Sequence, residues 1–161
     1  MQDHNKKSLM LSVVSVVVVA IIVVIAVLVI RNQNSTNSLS SAQKSADTQQ
    51  ITANWKTFFA AKTSLQNREN LLQDGSKFTQ PIQSEFNAFS TQASSAIVSN
   101  VTITSSTTAN VVYTVDLNAQ PVLKDQLGKS VLIGNVWQVS DSTLCGLLTL
   151  GGDKPSACSN T

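Results

Sequence analysis

The stretch Val101–Leu117, VTITSSTTANVVYTVDL, decides the fold class of the chain. Apolar and polar residues alternate on both sides of the small polar run Ser105–Asn110, which is the pattern of two half-buried β-strands joined by a turn. The second strand is the clearer one, because one of its faces consists of Val111, Tyr113, Val115 and Leu117. This stretch therefore predicts the start of an antiparallel sheet.

Two further strands are predicted towards the C-terminus. The Gln120-Pro121 pair interrupts the alternation, so the third strand is placed at about Lys129–Ile133. Gly134-Asn135 is a two-residue hairpin signal, and Val136–Val139 is then the returning strand. Together the four strands predict an antiparallel meander.

In the residues before the sheet, apolar side chains recur at the spacing of a helix rather than at every second position. From about Ala46 onwards a helix is predicted, with Asp47 or Thr48 as its N-terminal cap. One face of this helix carries a stripe at helical spacing, formed by Ile51, Trp55, Phe58, Phe59 and Lys62. A stripe of this kind is typical of a helix that packs its aromatic side chains into a core.

Two more helices are predicted between this stripe and the sheet. The first covers Leu65–Gln73 and ends at Asp74-Gly75, where Gly75 is expected to supply the left-handed cap conformation. The second is indicated by apolar spacing over Phe78–Phe89, with Pro81 tolerated in its first turn. Helices followed by a meander predict an α+β fold, in which about three helices pack on one face of an antiparallel sheet.

The apolar run Leu9–Ile30 precedes all of these elements and contains no charged residue. A helix of this length crosses the roughly 30 Å hydrocarbon core of a bilayer, so the run predicts a single transmembrane helix. Lys6 and Lys7 precede the run and Arg31 follows it, which places the N-terminus in the cytoplasm by the positive-inside rule. The alternative is a cleaved secretory signal, which the length of the run and the lack of an Ala-x-Ala-like site disfavour.

The predicted span divides the chain into four parts. Residues 1–8 are a cytoplasmic head, residues 9–30 a signal anchor, residues 31–46 a flexible polar linker and residues 47–161 an extracytoplasmic α+β domain. The expected location is therefore the plasma membrane, crossed once, with the C-terminal domain outside the cytoplasm.

Composition excludes several classes of function. The net charge is only +2 and the basic residues are scattered, so nucleic-acid binding is not expected. The one histidine, His4, precedes the span, which removes most His-based catalysis and metal binding from the domain. The carboxylates Glu69, Glu85, Asp125 and Asp141 are spaced singly, and no pair for acid–base catalysis is predicted. We expect no catalytic residue, cofactor or metal site, and the chain is predicted not to be an enzyme.

The chain has two cysteines, Cys145 and Cys158, and both lie near the C-terminus. Outside the reducing cytoplasm such a pair is expected to oxidise, and the segment between them contains Gly151, Gly152 and Pro155 and would otherwise fray. A catalytic redox pair normally has Cys-x-x-Cys spacing, and a zinc site would need further ligands. We therefore predict a structural disulfide, which in the chain-entropy model contributes roughly 3 kcal/mol to stability.

Several segments between Trp55 and Cys158 resemble one protein family. They are WKTFFAAKTS from Trp55, RENLLQDG at Arg68–Gly75, VTITSSTTANVVYTV from Val101, GNVWQVS at Gly134–Ser140, LCGLL at Leu144–Leu148 and the pair Ala157-Cys158. In these segments the chain is similar to the C-terminal domain of the low-molecular-weight secreted antigens of mycobacteria and related actinobacteria. The resemblance covers about two thirds of the chain.

The resemblance implies a cone-like α+β fold similar to nuclear transport factor 2, with helices packed into a curved antiparallel sheet. It also implies an actinobacterial cell envelope. The family's antigens are secreted, whereas this chain has the predicted anchor Leu9–Ile30, so release into the medium is expected only as the alternative that requires cleavage. The resemblance implies no activity.

Two interpretations of the domain's function remain, and both are binding functions. In one, the cone binds a small apolar ligand or lipid in a pocket whose candidate lining residues are Trp55, Phe59, Tyr113 and Trp137, although aromatics at this spacing more often form an ordinary core. In the other, the chain is an accessory subunit that binds a protein partner in the membrane or envelope. The second interpretation is favoured, because the aromatic residues are few and the core needs most of them.

Overall fold

The computed structural model describes residues 39–88 and 92–159 of the chain. In this part, three helices precede the sheet and one follows it: α1 (Ser41–Phe59), α2 (Leu65–Asn70), α3 (Thr79–Ala88) and α4 (Asp141–Leu150). Short 3-10 helices cover Gly75–Phe78 and Ser156–Cys158. The strands are β1 (Ser94–Ile103), β2 (Thr108–Leu117), β3 (Gln120–Ile133) and β4 (Val136–Val139).

The four strands form one antiparallel sheet in the order β1-β2-β3-β4, which confirms the predicted α+β fold with an antiparallel meander. Pairing register shifts between Val98 and Asn100 in β1, and again next to Val115 in β2. Such irregularities bend a strand and increase its local twist, so the sheet curls. The apolar face predicted for β2 points into the core, where Val111, Tyr113 and Val115 are buried.

The predicted membrane span Leu9–Ile30 and the head that precedes it lie outside the described residues. None of the helices in 39–88 and 92–159 is both long enough and apolar enough to cross a membrane. Of the predicted linker, residues 31–38 also lie outside the described part. Residues 41–46 are not a linker but form the first turns of α1.

Helix α1 begins at Ser41, five residues before the predicted start. The side chain of Ser40 accepts a 3.1 Å hydrogen bond from the backbone N–H of Gln43 and caps the helix. Asp47 is not a cap: it is buried inside the helix and accepts a 2.9 Å hydrogen bond from the Gln43 amide. The first turns of α1 are exposed and polar, so they have no apolar period for a sequence pattern to show. Lys62 lies in the turn after the helix rather than on its stripe.

The segment between α2 and α3 differs from the prediction in its turn. α2 ends at Asn70 rather than Gln73, because Leu72 leaves the helix and pairs in parallel with Val139 of β4. The residue with left-handed backbone is Asp74, with φ 53°, and not Gly75. Gly75 is required for a different reason: a Cβ there would lie 2.1 Å from the carbonyl oxygen of Glu69.

The sheet is more extensive than predicted, and β3 accounts for most of the difference. It begins at Gln120, directly after a turn in which Asn118 and Ala119 have φ of 51° and 61°. Pro121 does not break the pairing but sits opposite Asp116 near the strand's start, where a missing N–H is tolerated. The predicted Gly134-Asn135 turn is confirmed, with φ of 54° and 67°.

Strand β4 is an edge of the sheet, and side chains and backbone of other elements cover its outer side. The backbone N–H of Trp137 donates to Gln50 Oε1 at 2.9 Å, and the Asn54 amide donates to the Trp137 carbonyl at 2.7 Å. Further along, the Val139 N–H donates to the Leu71 carbonyl at 2.8 Å. These contacts satisfy the free edge of the sheet and fix α1 and the segment after α2 upon it.

Helix α1 packs across one face of the sheet, and its aromatic stripe forms the core. Trp55, Phe58 and Ile51 are completely buried, and the ring of Trp55 lies 4.6 Å from the ring of Tyr113 on β2. Gly128 on β3 allows this approach, since a Cβ there would lie 2.4 Å from Trp55 Cη2. The core thus joins helix to sheet, as the spacing of the stripe predicts.

Candidate functional site

An apolar cavity of about 280 Å³ lies at the end of the sheet where β1 begins, β2 ends and β3 begins. Three structural walls enclose it. The end of α1 contributes Phe58 and Phe59, the sheet contributes mainly Val115, Leu117 and Leu123, and α4 contributes mainly Leu144, Leu147 and Leu148. Val122 and Leu150 also line the cavity and are 50% and 65% exposed, so the cavity reaches the surface.

The α4 wall is a helix that the sequence pattern did not indicate. Its N-terminus is capped by Ser140, whose hydroxyl accepts a 3.2 Å hydrogen bond from the Thr143 N–H. The Thr143 hydroxyl in turn accepts a 2.9 Å hydrogen bond from the Lys129 N–H on β3. The leucines of α4 are spaced so that Leu144 and Leu148 face the core together. The cap and the spacing of these leucines are the signals from which the helix could have been found.

The two cysteines join α4 to the C-terminal segment. Cys145 lies on α4 and Cys158 in the last 3-10 helix, with their sulfur atoms at 1.97 Å and their Cα atoms at 5.6 Å. This geometry agrees with the predicted disulfide. Cys145 is buried beside Leu144 and Leu148, so the bond fastens the C-terminal tail to the helix that forms this wall of the cavity.

The ionisable side chain that lines the cavity in the described part of the chain is Glu85, on α3. The carboxyl of Asp153, in the segment after α4, is near enough to interact with it. Burial raises the pKa of Glu85 above its usual value, and the interaction with Asp153 raises it further. The sequence spacing placed Glu85 as a single carboxylate, and only the fold brings Asp153 near it.

The four candidate pocket-lining residues divide between cavity and core. Phe59 lines the cavity, whereas Trp55, Tyr113 and Trp137 lie in the buried core and not among the cavity's lining residues. Burial raises the pKa of Tyr113 to about 12, so its hydroxyl stays neutral. The Trp137 indole N–H has no hydrogen-bond partner within the part of the chain that the structure describes.

Arg68 is a buried residue with a positioning role that the sequence pattern did not indicate. It is 3% exposed, and its guanidinium donates to the carbonyl oxygens of Phe58 at 3.1 Å and Ala60 at 2.5 Å. These carbonyls lie at the C-terminal end of α1, where a cation also interacts favourably with the helix dipole. Burial lowers the pKa of Arg68 to about 10, so it remains charged at neutral pH. It therefore fixes the end of α1 from which Phe58 and Phe59 line the cavity.

A comparison with known protein families finds a match over most of the chain. The model of the low molecular weight antigen MTB12 C-terminal domain matches residues 44–155. The match begins inside α1 and ends in the segment after α4, so it includes every wall of the cavity. Searches of curated proteins and of solved structures find no match. The chain belongs to the low molecular weight antigen MTB12 family, whose C-terminal domain it carries.

Proposed function

We propose that this chain is a non-catalytic binding protein of the cell envelope, and that its C-terminal domain takes up an apolar ligand in the cavity beside α4. The observation that supports this proposal is the cavity itself, of about 280 Å³ and with walls of aliphatic and aromatic side chains. Its volume is at the lower end of the range for small-molecule pockets, which suits an alkyl segment or a small apolar group.

The energetic reason for a ligand is the exposure of apolar walls. A cavity that reaches the surface leaves apolar side chains in contact with water, and covering them gains roughly 25 cal/mol per Å² of apolar area. Leu147 and Leu150 on α4 and Val122 on β3 are only partly buried by the protein itself. An apolar ligand would complete their burial.

A binding function rather than catalysis is supported by the chemistry of the lining. Among the described residues that line the cavity, Glu85 and Ser94 have polar side chains, and the other side chains are apolar. Both cysteines are in the disulfide, so neither is available as a nucleophile. Such a lining holds an apolar ligand and offers little to activate a bond.

The proposed location follows from the apolar run Leu9–Ile30, as a signal anchor that tethers the domain to the outer face of the plasma membrane. A tether keeps the domain close to membrane lipids and raises its effective concentration there. N-terminal sequencing of the membrane and medium fractions tests this part. A mature N-terminus within the cytoplasmic head supports the anchor, and a mature start beyond Arg31 contradicts it.

For the C-terminal domain we propose the cone-like fold, similar to nuclear transport factor 2, that the family resemblance implies. The curled sheet supports it, since register shifts in β1 and β2 bend the strands around α1. In this arrangement the cavity is the wide end of the cone, with α4 as its lateral wall.

A protein partner is the second candidate, and exposed apolar residues favour it. Leu127 is 81% exposed and Ile97 is 53% exposed, and both lie on the face of the sheet opposite to α1. An accessory subunit of an envelope complex would use such a face. We rank the ligand first, because the cavity is enclosed on three sides whereas these side chains are separate.

Photolabelling of the full-length chain in lipid nanodiscs tests the ligand proposal. The probe is a short alkyl alcohol that carries a diazirine, and mass spectrometry of the peptides locates its adducts. We expect adducts within Val115–Leu123 and Leu144–Gly151, competed by excess unlabelled alcohol. Adducts confined to other parts of the chain would contradict the proposal.

Two tryptophan variants provide the matched comparison. Leu147→Trp fills the cavity and is expected to reduce these adducts several-fold, since Leu147 lines it. Leu127→Trp adds the same ring on the opposite face of the sheet, where the side chain is exposed, and is expected to leave them unchanged. Equal labelling of both variants would show that the probe does not enter the cavity.

A further inference from the structure

The two edges of the sheet differ in how far they are covered. At the β4 edge, α1 and the segment after α2 exchange hydrogen bonds with the strand. At the other edge, β1 is covered at its first residue, where the Ser94 carbonyl accepts a 3.1 Å hydrogen bond from the Ala61 N–H. Within 39–88 and 92–159, no strand and no further backbone hydrogen bond lies on the outer side of Ser95–Ile103. About half of these residues therefore direct an N–H and a C=O away from the sheet, ready to pair with another strand.

The side chains of β1 leave apolar surface open on both faces of this edge. Val98, Val101 and Ile103 pack against the core but are only partly buried. On the opposite face, Ile97 is 53% exposed. A further strand beside β1 would cover these side chains and pair the free backbone groups at the same time.

The composition of β1 indicates which strand can lie beside it. Edge strands are commonly protected from pairing by charged residues or proline, and Ser94–Ile103 contains neither. The pairing register shifts at Ser99, whose hydroxyl donates to the Val112 carbonyl at 3.2 Å on the inner side, and this shift divides the open edge into two regular halves, Ser95–Val98 and Asn100–Ile103. An uncharged strand can pair with itself without placing like charges opposite each other.

We propose that the open edge of β1 pairs antiparallel with the same edge of a second copy of the chain, so that two four-stranded sheets join into one. The two copies are then related by a two-fold axis, which is the commonest symmetry of homo-oligomers. The proposed anchor Leu9–Ile30 favours a second copy as the partner, because it holds the copies in one membrane and raises their effective concentration. This pairing does not depend on the proposed ligand, since Ser94 is the residue of β1 that lines the cavity.

Cross-linking through single cysteines tests this pairing in the full-length chain, reconstituted in phosphatidylcholine vesicles. Ser95→Cys and Thr102→Cys place a thiol at an exposed position in each half of β1. The matched control is Leu127→Cys, at an 81% exposed position of the central strand β3. A short bis-maleimide reacts with free thiols and leaves the Cys145–Cys158 disulfide intact. We expect dimers from at least one of the β1 cysteines, at a yield several-fold above that of the control.

An added charge in the half that cross-links distinguishes specific pairing from chance collision. Ile97→Lys is combined with Ser95→Cys, or Asn100→Lys with Thr102→Cys, and both charges lie at exposed positions. Like charges on the two copies should lower the dimer yield several-fold, whereas Leu127→Lys should leave it unchanged. A mixture of the lysine variant with the corresponding glutamate variant should restore the yield, because opposite charges then meet. A variant that had lost its fold would not recover in the mixture.

Three results would overturn the proposal. The first is a dimer yield from both β1 cysteines that is no higher than that of Leu127→Cys. The second is a yield that is highest for Leu127→Cys, which would place the contact between copies on the outer face of the sheet instead. The third is a yield from the β1 cysteines that the added lysine does not lower.

Discussion

The indole nitrogen of Trp55 donates a 2.6 Å hydrogen bond to the hydroxyl oxygen of Ser130, and both residues are completely buried. This contact joins the middle of α1 to β3, across the face of the sheet that carries the core. A buried indole N–H without an acceptor loses its hydration without compensation. The position of α1 on the sheet therefore depends on a polar contact as well as on apolar packing.

Ser130→Ala should destabilise the domain by about 1–3 kcal/mol, because it removes the acceptor and leaves the Trp55 donor buried and unpaired. Denaturant unfolding followed by tryptophan fluorescence measures this change. Ser99→Ala, at an exposed position of β1, is the control and should change stability little. A Ser130→Ala cost as small as that of the control would show that the hydrogen bond does not hold α1 in place.

Gly128→Ala and Gly146→Ala should have effects of opposite sign. At Gly128 a new Cβ would lie 2.4 Å from the Trp55 ring, so overpacking should cost about 1–3 kcal/mol or more. At Gly146, an exposed position of α4, a Cβ meets nothing within 4 Å, and alanine should stabilise the helix by up to about 1 kcal/mol. The same unfolding experiment compares both, and an equal effect of the two substitutions would contradict the close packing of Trp55 on β3.

Arg68→Lys should destabilise the domain by about 1.5–3 kcal/mol, although it conserves the charge. A lysine ammonium lacks the planar fork that reaches the carbonyls of Phe58 and Ala60 together. Amide hydrogen exchange should show faster opening at the end of α1, while the exposed Lys56→Arg control should show none. Unchanged hydrogen exchange in the Arg68→Lys variant would contradict the claim that Arg68 fixes the end of α1 beside the cavity.

Glu85 should make stability depend on pH. Its pKa is raised above the usual 4.5 in the folded chain, so the folded state binds the proton more tightly than the unfolded state does. The stability that Glu85 contributes is complete below about pH 4.5 and is lost as pH rises through its folded pKa. Relative to the parent, Glu85→Gln should thus gain stability from acid to neutral pH. A constant difference in Tm between the two proteins over this range would contradict the raised pKa of Glu85 in the folded chain.

The Cys145→Ala/Cys158→Ala double variant should lose roughly 3 kcal/mol of stability, the estimate for a loop of this length in the chain-entropy model. Because the bond fastens the tail to α4, hydrogen exchange should increase in α4 more than in β2. Thiol labelling of the denatured, unreduced parent chain is the direct check. Two reactive thiols in the parent would contradict the disulfide.

The periodic parts of the fold could be predicted from the sequence, and the reason is visible at Trp55 and Tyr113. Each lies in a segment with a regular apolar period, helical for one and alternating for the other, and each is buried on the predicted face. The start of α1 had no such signal, because its first turns are exposed. The start of β3 was not predicted, because Pro121 was taken as a break in the strand. Its pairing opposite Asp116 depends on the preceding turn, whose type the sequence does not determine.

The cavity could be predicted only in part. Phe59 was among the candidate lining residues because it belongs to the aromatic stripe, but the α4 wall was not foreseen. Gly151, Gly152 and Pro155, which follow α4, favoured an irregular segment over a helix. The proximity of Glu85 to Asp153 involves two elements that are distant in the chain, and only the topology brings them together.

The measurement that tests the central claim most directly is a set of intermolecular nuclear Overhauser effects between 1-hexanol and the methyl groups of the full-length chain in nanodiscs. The claim that the cavity binds an apolar ligand predicts contacts from the alkyl chain to Val115, Leu147 and Leu148, which line it. The exposed Leu127, on the opposite face of the sheet, should show none. Contacts to Leu127 together with none to the cavity methyls would contradict the claim.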